Sequence, residues 1–293
     1  MARRIIYLVS GQPHLPYLVC SLWTLQNHWD GLVEIHVWPE SYNKVKQIAE
    51  DYRPSIPAVT LRHPSWRGRN AQFLDKIDMV MECDEDDTIL YLDADTTIHG
   101  DLLPVFKEAE YYGFCATQFN GWETNGGLAG KRIKELRPFP HIEQYLIDNL
   151  LRAAWPSVNG GVWAACPRSP VLRTWYDWTW QVRKDLFIAD ESVLHLMMAK
   201  YCPQQQMTVL CEGGRYNTSP RFQVCKDEDI VIKHYHGDSN LRPNKSQKGM
   251  DWWWPIYQEC LTENVGGINE WLPRMQANRK TRNKWLWKLE NKA

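Results

Sequence analysis

The 293-residue sequence carries almost no net charge: 34 lysines and arginines against 35 aspartates and glutamates leave −1 at neutral pH. No global field therefore draws the chain to nucleic acid or to an anionic surface. Its eight cysteines include no CxxC pair and are too dilute for a disulfide scaffold, so they read as reduced thiols of a cytoplasmic chain. The amino terminus, MARRIIYLVSG, has two arginines but an apolar run of only five residues, Ile5–Val9. That is too short for a signal-peptide core and far too short for a membrane span, and it reads instead as a first strand. With no leader, the sequons Asn217-Thr218-Ser219 and Asn244-Lys245-Ser246 read as accidental. There is no internal repeat and no low-complexity linker. A phosphate loop is missing too: matching GxxxxGK[ST] to Gly130-Lys131 puts Asn125 where the first glycine belongs and Arg132 where the hydroxyl belongs. Gly126–Lys131 reads as a flexible loop able to close over a site.

What the chain does have is apolar content, 44%, enough for a sizeable core, and 16 tryptophans, six of them late: Trp252, Trp253, Trp254, Trp271, Trp285 and Trp287. A tryptophan offers a flat apolar face and one N–H donor, which suits sugar rings, nucleobases and membrane interfaces as well as plain core packing. Strand and helix signals alternate through the first half. Strands are expected over Ile5–Val9, Leu32–Trp38, Ala58–Leu61 and Ile89–Leu92. Helices are expected over His14–His28, over Ser41–Tyr52 with Ser41 as its cap, and over Asn70–Glu82. This rhythm predicts an α/β fold with a doubly wound, mostly parallel sheet. Further on, Phe119–Arg137 reads as loop because Gly121, Gly126, Gly127 and Gly130 punctuate it. Val158–Ala164 reads as a turn entering a strand. His141–Arg152, Ser169–Arg183 and Glu191–Lys200 read as helices, and Ile230–Tyr235 as a late strand. One domain, residues 1–250, followed by a Trp-rich, basic extension, 251–293, is the expected organisation.

The chemistry concentrates at Thr88–Gly100, TILYLDADTTIHG. A buried-strand signal, Ile89–Leu92, runs directly into Asp93-Ala94-Asp95. Ligands of open α/β sheets bind at the carboxyl ends of strands, and two carboxylates there are costly unless a cation sits between them. A divalent ion bridging a phosphate meets that need; the plainer reading is that Asp95 or Thr96 caps a turn. His234 and His236 end the late strand, where one imidazole would complete an Asp–Asp–His site suited to Mn²⁺. Alternation places both on one face, so spacing does not choose between them. Lys76 lies on the helix before the DxD strand, with Arg67 and Arg69 ahead of it, and can be aimed at a diphosphate. Asp190 and Glu191 open a helix, where they serve the dipole or bind acceptor hydroxyls. Glu191 and His195, four apart, lack a third partner.

Asp93-Ala94-Asp95-Thr96-Thr97 also resembles the DxDxT signature of haloacid-dehalogenase-type phosphatases, in which the first Asp is a nucleophile. That family has the motif on its first core strand, whereas three strand signals precede it here. Its later acidic pair is also lacking, since the second Asp of a GDxxxD pattern starting at Gly237-Asp238 falls on Arg242. A non-catalytic nucleotide-sugar-binding protein is a third class.

Taken in order, the motifs resemble GT-A glycosyltransferases, most closely glycosyltransferase family 8, the glycogenin and lipopolysaccharide galactosyltransferase group. Leu90-Tyr91-Leu92-Asp93-Ala94-Asp95-Thr96 is similar to its metal motif, Lys76 to its diphosphate-binding lysine and Val158–Val162 to its Asn-Ala-Gly-Val turn. Asp190-Glu191-Ser192 resembles its Asp-Gln-Asp segment and His234-Tyr235-His236-Gly237 its H-x-x-G. The resemblance implies Mn²⁺ or Mg²⁺ held by Asp93, Asp95 and His234, and a nucleotide-sugar donor, UDP-linked. It implies donor contacts from Lys76, Arg69, Asp93 and Arg242, a sugar pocket lined by Asn159 and Asp190, and transfer with retention. Two departures stand out. Ser10-Gly11-Gln12 replaces the family's base-binding Asp, and the Lys-Pro-Trp after H-x-x-G is displaced, with Arg242-Pro243, Lys245 and Lys248 nearest. The acceptor, whether glycan, lipid-linked glycan, protein or modified nucleic acid, has no motif. The tail RKTRNKWLWKLE suits a peripheral membrane surface, an anionic polymer or a packed helix.

Overall fold

Ile5, Tyr7 and Val9 of strand β1 (Arg3–Val9) join one buried apolar cluster, while Ile6 and Leu8 join another. A strand apolar on both faces must be covered on both, which is the condition for a central strand of an α/β sheet. In the computed structural model, which describes residues 2–51, 58–64, 68, 70–236 and 247–269, β1 has that place. It is flanked by β2 (Leu32–Val37), which pairs outward with β3 (Ala58–Leu61), and by β4 (Thr88–Asp93), all parallel. On the far side of β4 lie β7 (Trp155–Ala165), antiparallel to it, then β6 (Phe114–Glu123) and β8 (Thr208–Leu210). The order β3-β2-β1-β4-β7-β6-β8 is the mostly parallel α/β sheet that the βα rhythm implies.

One layer of helices comprises α1 (Leu15–Leu25), α2 (Tyr42–Asp51), α4 (Leu103–Tyr112) and α9 (Gln247–Thr262); the other comprises α3 (Ala71–Met81), α6 (Gln144–Leu150), α7 (Pro170–Val182) and α8 (Ala189–Tyr201). The late tryptophans within the described residues serve packing: Trp253 of α9 is fully buried between Tyr17 of α1, 5.4 Å away, and Tyr257, 4.3 Å away. Trp271, Trp285 and Trp287 lie outside the described residues, as does the rest of the basic tail.

Three local expectations give way. The segment expected as loop, Phe119–Arg137, holds the end of β6 and a further helix, α5 (Leu128–Lys134), packed near α8. Gly130 allows close backbone approach instead of breaking structure, since a Cβ there would lie 2.5 Å from the Thr124 carbonyl oxygen. The turn expected at Val158–Ala164 is continuous strand within β7. Ser41 ends a short 3₁₀ turn before α2, and its buried hydroxyl caps nothing.

Candidate active site

Strand order changes direction between β1 and β4: the chain builds β1, β2 and β3 outward and then returns to add β4 on the other side. Such a switch point opens a crevice beyond the strand ends. Here it is a cavity of about 370 Å³, lined by Ser10 and His14 after β1, by Gln72, Phe73 and Lys76 of α3, and by Tyr91, Asp93 and Asp95.

Asp93 ends β4, and Asp95 stands before the short strand β5 (Thr96–Ile98). β5 pairs antiparallel with β9 (Ile232–His234), Thr96 opposite His234, and Tyr235 N–H donates to the Asp95 carbonyl. A hairpin-like pairing between segments about 140 residues apart thus delivers the imidazole to the carboxylates. His234 Nε2 lies 3.3 Å from Asp95 Oδ1 and 3.5 Å from Asp93 Oδ2. Ligand atoms of the three residues all fall within 4.8 Å of one another, which fits a divalent cation bound by two carboxylate oxygens and a ring nitrogen. Burial disfavours charge on His234, but Asp95 and then Asp93 outweigh it and push its pKa up to about 9. His236 is not an equivalent partner. β9 stops at His234, and His236 turns into left-handed backbone (φ 53°), its ring lying tilted between those of Phe119, 4.2 Å away, and His234, 4.0 Å away.

Beside this cluster, Lys76 Nζ meets Asp190 Oδ2 at 2.6 Å, both residues almost fully buried. Burial opposes the Lys76 charge, yet Asp190, Asp93 and Glu191 together hold the ammonium above the usual lysine value. The aromatic rings of Phe73, Tyr91 and Trp175 surround it at 5.1–5.9 Å. Asp190 sits in the first turn of α8, which Ile188 enters in left-handed backbone (φ 55°), an unfavourable conformation for a β-branched residue. Glu191 pairs with Arg132 of α5 at 3.1 Å; burial and then the Asp190 charge push its pKa up to about 7. The phosphate-loop look-alike is thus the helix that supplies a cation to Glu191. His195 is tied to structure, its Nδ1 2.7 Å from the Glu191 carbonyl.

β7 runs between these two groups. A Cβ on Gly160 would lie 2.2 Å from Lys76 Nζ and 2.6 Å from Asp190 Oδ2; one on Gly161 would lie 2.1 Å from His234 Cε1 and 2.7 Å from Asp93 Oδ2. Both glycines are required by what they face. Asn159, just before them, is 2% exposed; its Oδ1 accepts from Gly161 N–H at 2.9 Å, and its Nδ2 has no hydrogen-bond partner.

The structure therefore brings together Lys76, Asp93, Asp95, Asn159, Asp190 and His234. Arg67, Arg69, Arg242 and Lys245 lie outside the described residues, and Lys248, on α9, pairs with Asp227 at 3.1 Å. Two residues escaped sequence reasoning. Tyr91, whose phenol donates to Asp93 Oδ1 at 2.6 Å, was legible only as a strand residue. Asn217, in a sequon, is fully buried and hydrogen-bonded within the site, so it is not a surface acceptor.

The fold has solved counterparts. The galactosyltransferase LgtC, determined in complex with donor and acceptor sugar analogues, superposes with a TM-score of 0.59 at 13% identity, over 87% of this chain and 95% of that one. Mouse xyloside xylosyltransferase 1 in its apo form gives 0.55 at 10% identity, over 82% and 99%. The glycosyltransferase GlyE of Streptococcus pneumoniae TIGR4 gives 0.51 at 14% identity, over 90% and 64%. The architecture is thus the GT-A fold of glycosyltransferases. No protein-family model matches the sequence, and neither does any curated protein.

Proposed function

We propose that the chain is a metal-dependent glycosyltransferase that moves a sugar from a nucleoside diphosphate, UDP in the reading carried by the family 8 resemblance, to an acceptor hydroxyl, with retention. The observation that carries this is the Asp93–Asp95–His234 cluster at the strand-end crevice of a glycosyltransferase fold, with a charged, buried lysine beside it. In this reading Asp95 and His234 hold Mn²⁺ or Mg²⁺, and Asp93 serves both metal and ribose. When bound, the metal neutralises charge on the departing diphosphate. Lys76 adds a fixed positive charge where that group leaves, in a site whose burial strengthens the interaction. Asp190 keeps Lys76 charged and offers carboxylate oxygen to sugar hydroxyls, and the unpaired Nδ2 of Asn159 offers a donor. A glycan is the acceptor class that the glycosyltransferase reading brings with it; a lipid-linked glycan approached through the basic, Trp-rich tail extends the proposal to a peripheral membrane surface. Among the described residues, no helix is long and apolar enough to cross a membrane.

The test pairs binding with turnover. A panel of nucleotide sugars and nucleoside diphosphates, with and without Mn²⁺, should raise the melting temperature of the protein only in the presence of metal and for one base. Asp95→Asn should then lower turnover by about a thousandfold, the loss of several kcal/mol of leaving-group stabilisation, while the fold survives. Unchanged turnover in Asp95→Asn would sink the assignment.

A further inference from the structure

We infer that Asn217 is the residue that orients His234 for metal binding, an inference that rests on the metal-dependent reading above. The argument is one of hydrogen-bond supply. Thr117 Oγ1 spends its only proton on the Val162 carbonyl at 2.7 Å, so toward Asn217 it can only accept. Asn159 Oδ1 is an acceptor as well, because Gly161 N–H donates to it. Both lie within reach of Asn217 Nδ2, at 3.1 Å and 3.0 Å, and the two amide protons satisfy both. This assigns the amide without ambiguity and leaves Asn217 Oδ1 facing His234 Nδ1 at 2.9 Å, where it must accept. Nδ1 of His234 therefore carries a proton in every state of the ring, and a neutral imidazole keeps its lone pair on Nε2, the atom that faces Asp93 and Asp95.

The frame around Asn217 is rigid. Asn217 and Thr117 are fully buried, and Thr218 next to Asn217 exchanges backbone hydrogen bonds with both ends of β9, its N–H donating to Ile232 and its carbonyl accepting from His234. Partners of this kind fix ring orientation and tautomer in metal sites, and their loss costs about 10- to 100-fold in metal affinity. The same amide holds Asn159 with Oδ1 inward, so the metal ligand and the unpaired Nδ2 of Asn159 are set by one side chain.

The experiment titrates metal-free full-length protein with Mn²⁺, following free ion by electron paramagnetic resonance. Asn217→Ala should bind Mn²⁺ at least about tenfold more weakly than the natural chain. Asn217→Asp keeps an acceptor for Nδ1–H and should restore affinity to within about threefold, although it can no longer donate to Thr117 or Asn159. Asn217→Leu, which keeps the volume but offers no acceptor, should bind Mn²⁺ as weakly as Asn217→Ala; natural affinity in that variant would mean that Asn217 acts only by packing and would overturn the inference. Melting curves report whether each variant folds. The natural chain alone also decides: ¹⁵N spectra of the Mg²⁺-loaded protein should show His234 protonated at Nδ1. Equal affinity in Asn217→Ala, absence of rescue in Asn217→Asp, or a proton on Nε2 in the loaded protein each overturns the inference while metal binding itself stands. Failure of the natural chain to bind Mn²⁺ overturns the metal-dependent reading, and the inference with it.

Discussion

Gly160 and Gly161 are neighbours on one strand, yet each leaves room for a different half of the site. This separates two substitutions that otherwise look alike. Gly161→Ala drives a methyl into His234 and Asp93 and should weaken Mn²⁺ binding about tenfold or more. Gly160→Ala drives one into the Lys76–Asp190 pair, both members of which are too buried to retreat into solvent. It should leave Mn²⁺ affinity near that of the natural chain while nucleoside-diphosphate binding falls. Parallel Mn²⁺ and nucleotide titrations of the two variants check this, and equal loss of metal affinity in both would contradict it. In the sequence the glycine pair suggested a turn, because the atoms that require it, on Lys76, Asp190, Asp93 and His234, come from four other parts of the chain.

Among elements, α3 and α8 carry the two halves of the Lys76–Asp190 pair, and one residue ties the starts of the two helices. Asn70, in left-handed backbone (φ 71°) before α3, donates to the carbonyls of Arg183 at 2.7 Å and Leu186 at 2.8 Å, in the segment leading to α8. Asn tolerates that backbone conformation better than Ala, and the side-chain bonds fasten the two helix starts together. Asn70→Ala should cost about 2 kcal/mol from lost bonds and strained backbone, seen as a fall in melting temperature of about 3 °C. Asn70→Gly loses the bonds but keeps the conformation, so it should recover part of that loss; a variant no more stable than Asn70→Ala would remove the backbone contribution. Element identity was legible where apolar spacing was strong, as in β1, β4 and α3. It was not legible for α5, where glycines needed for close packing looked like breaks.

For the whole molecule, acid sensitivity follows from histidines buried without charge. Burial holds His195 at about 4 and, joined by the charge of Lys233, His99 at about 3, both below the ordinary 6.5. The unfolded chain takes up protons below pH 6.5 that the folded chain refuses. Stability is therefore full above that value and is lost as pH falls from 6.5 toward 4. His195 alone accounts for about 3 kcal/mol at the acid limit, since it is 4% exposed. Glu191, pushed up to about 7, acts in the opposite sense over the same window, so the test is a difference: between pH 7 and pH 4 the denaturant midpoint of the natural chain should fall relative to that of His195→Gln, giving the two different pH slopes. An unchanged slope would mean that His195 does not carry the effect.

The sequence by itself determined the parallel strands β1 to β4, because their apolar runs have no other way to be buried, but it did not mark β6 or β8. It also marked Asp93 and Asp95, because two carboxylates at a strand end are costly without a cation. Only the tertiary structure decided which of the His234 and His236 imidazoles faces the two carboxylates, since that depends on β9 ending at His234 and pairing with β5. Likewise only the tertiary structure decided that Lys76 meets Asp190, that Gly160 and Gly161 belong to a strand, and that Asn217 lies at the centre of the site. The physical reason is the same in each case: hydrogen bonds, ion pairs and steric exclusion act over a few ångströms, between residues that the chain separates by tens to more than a hundred positions.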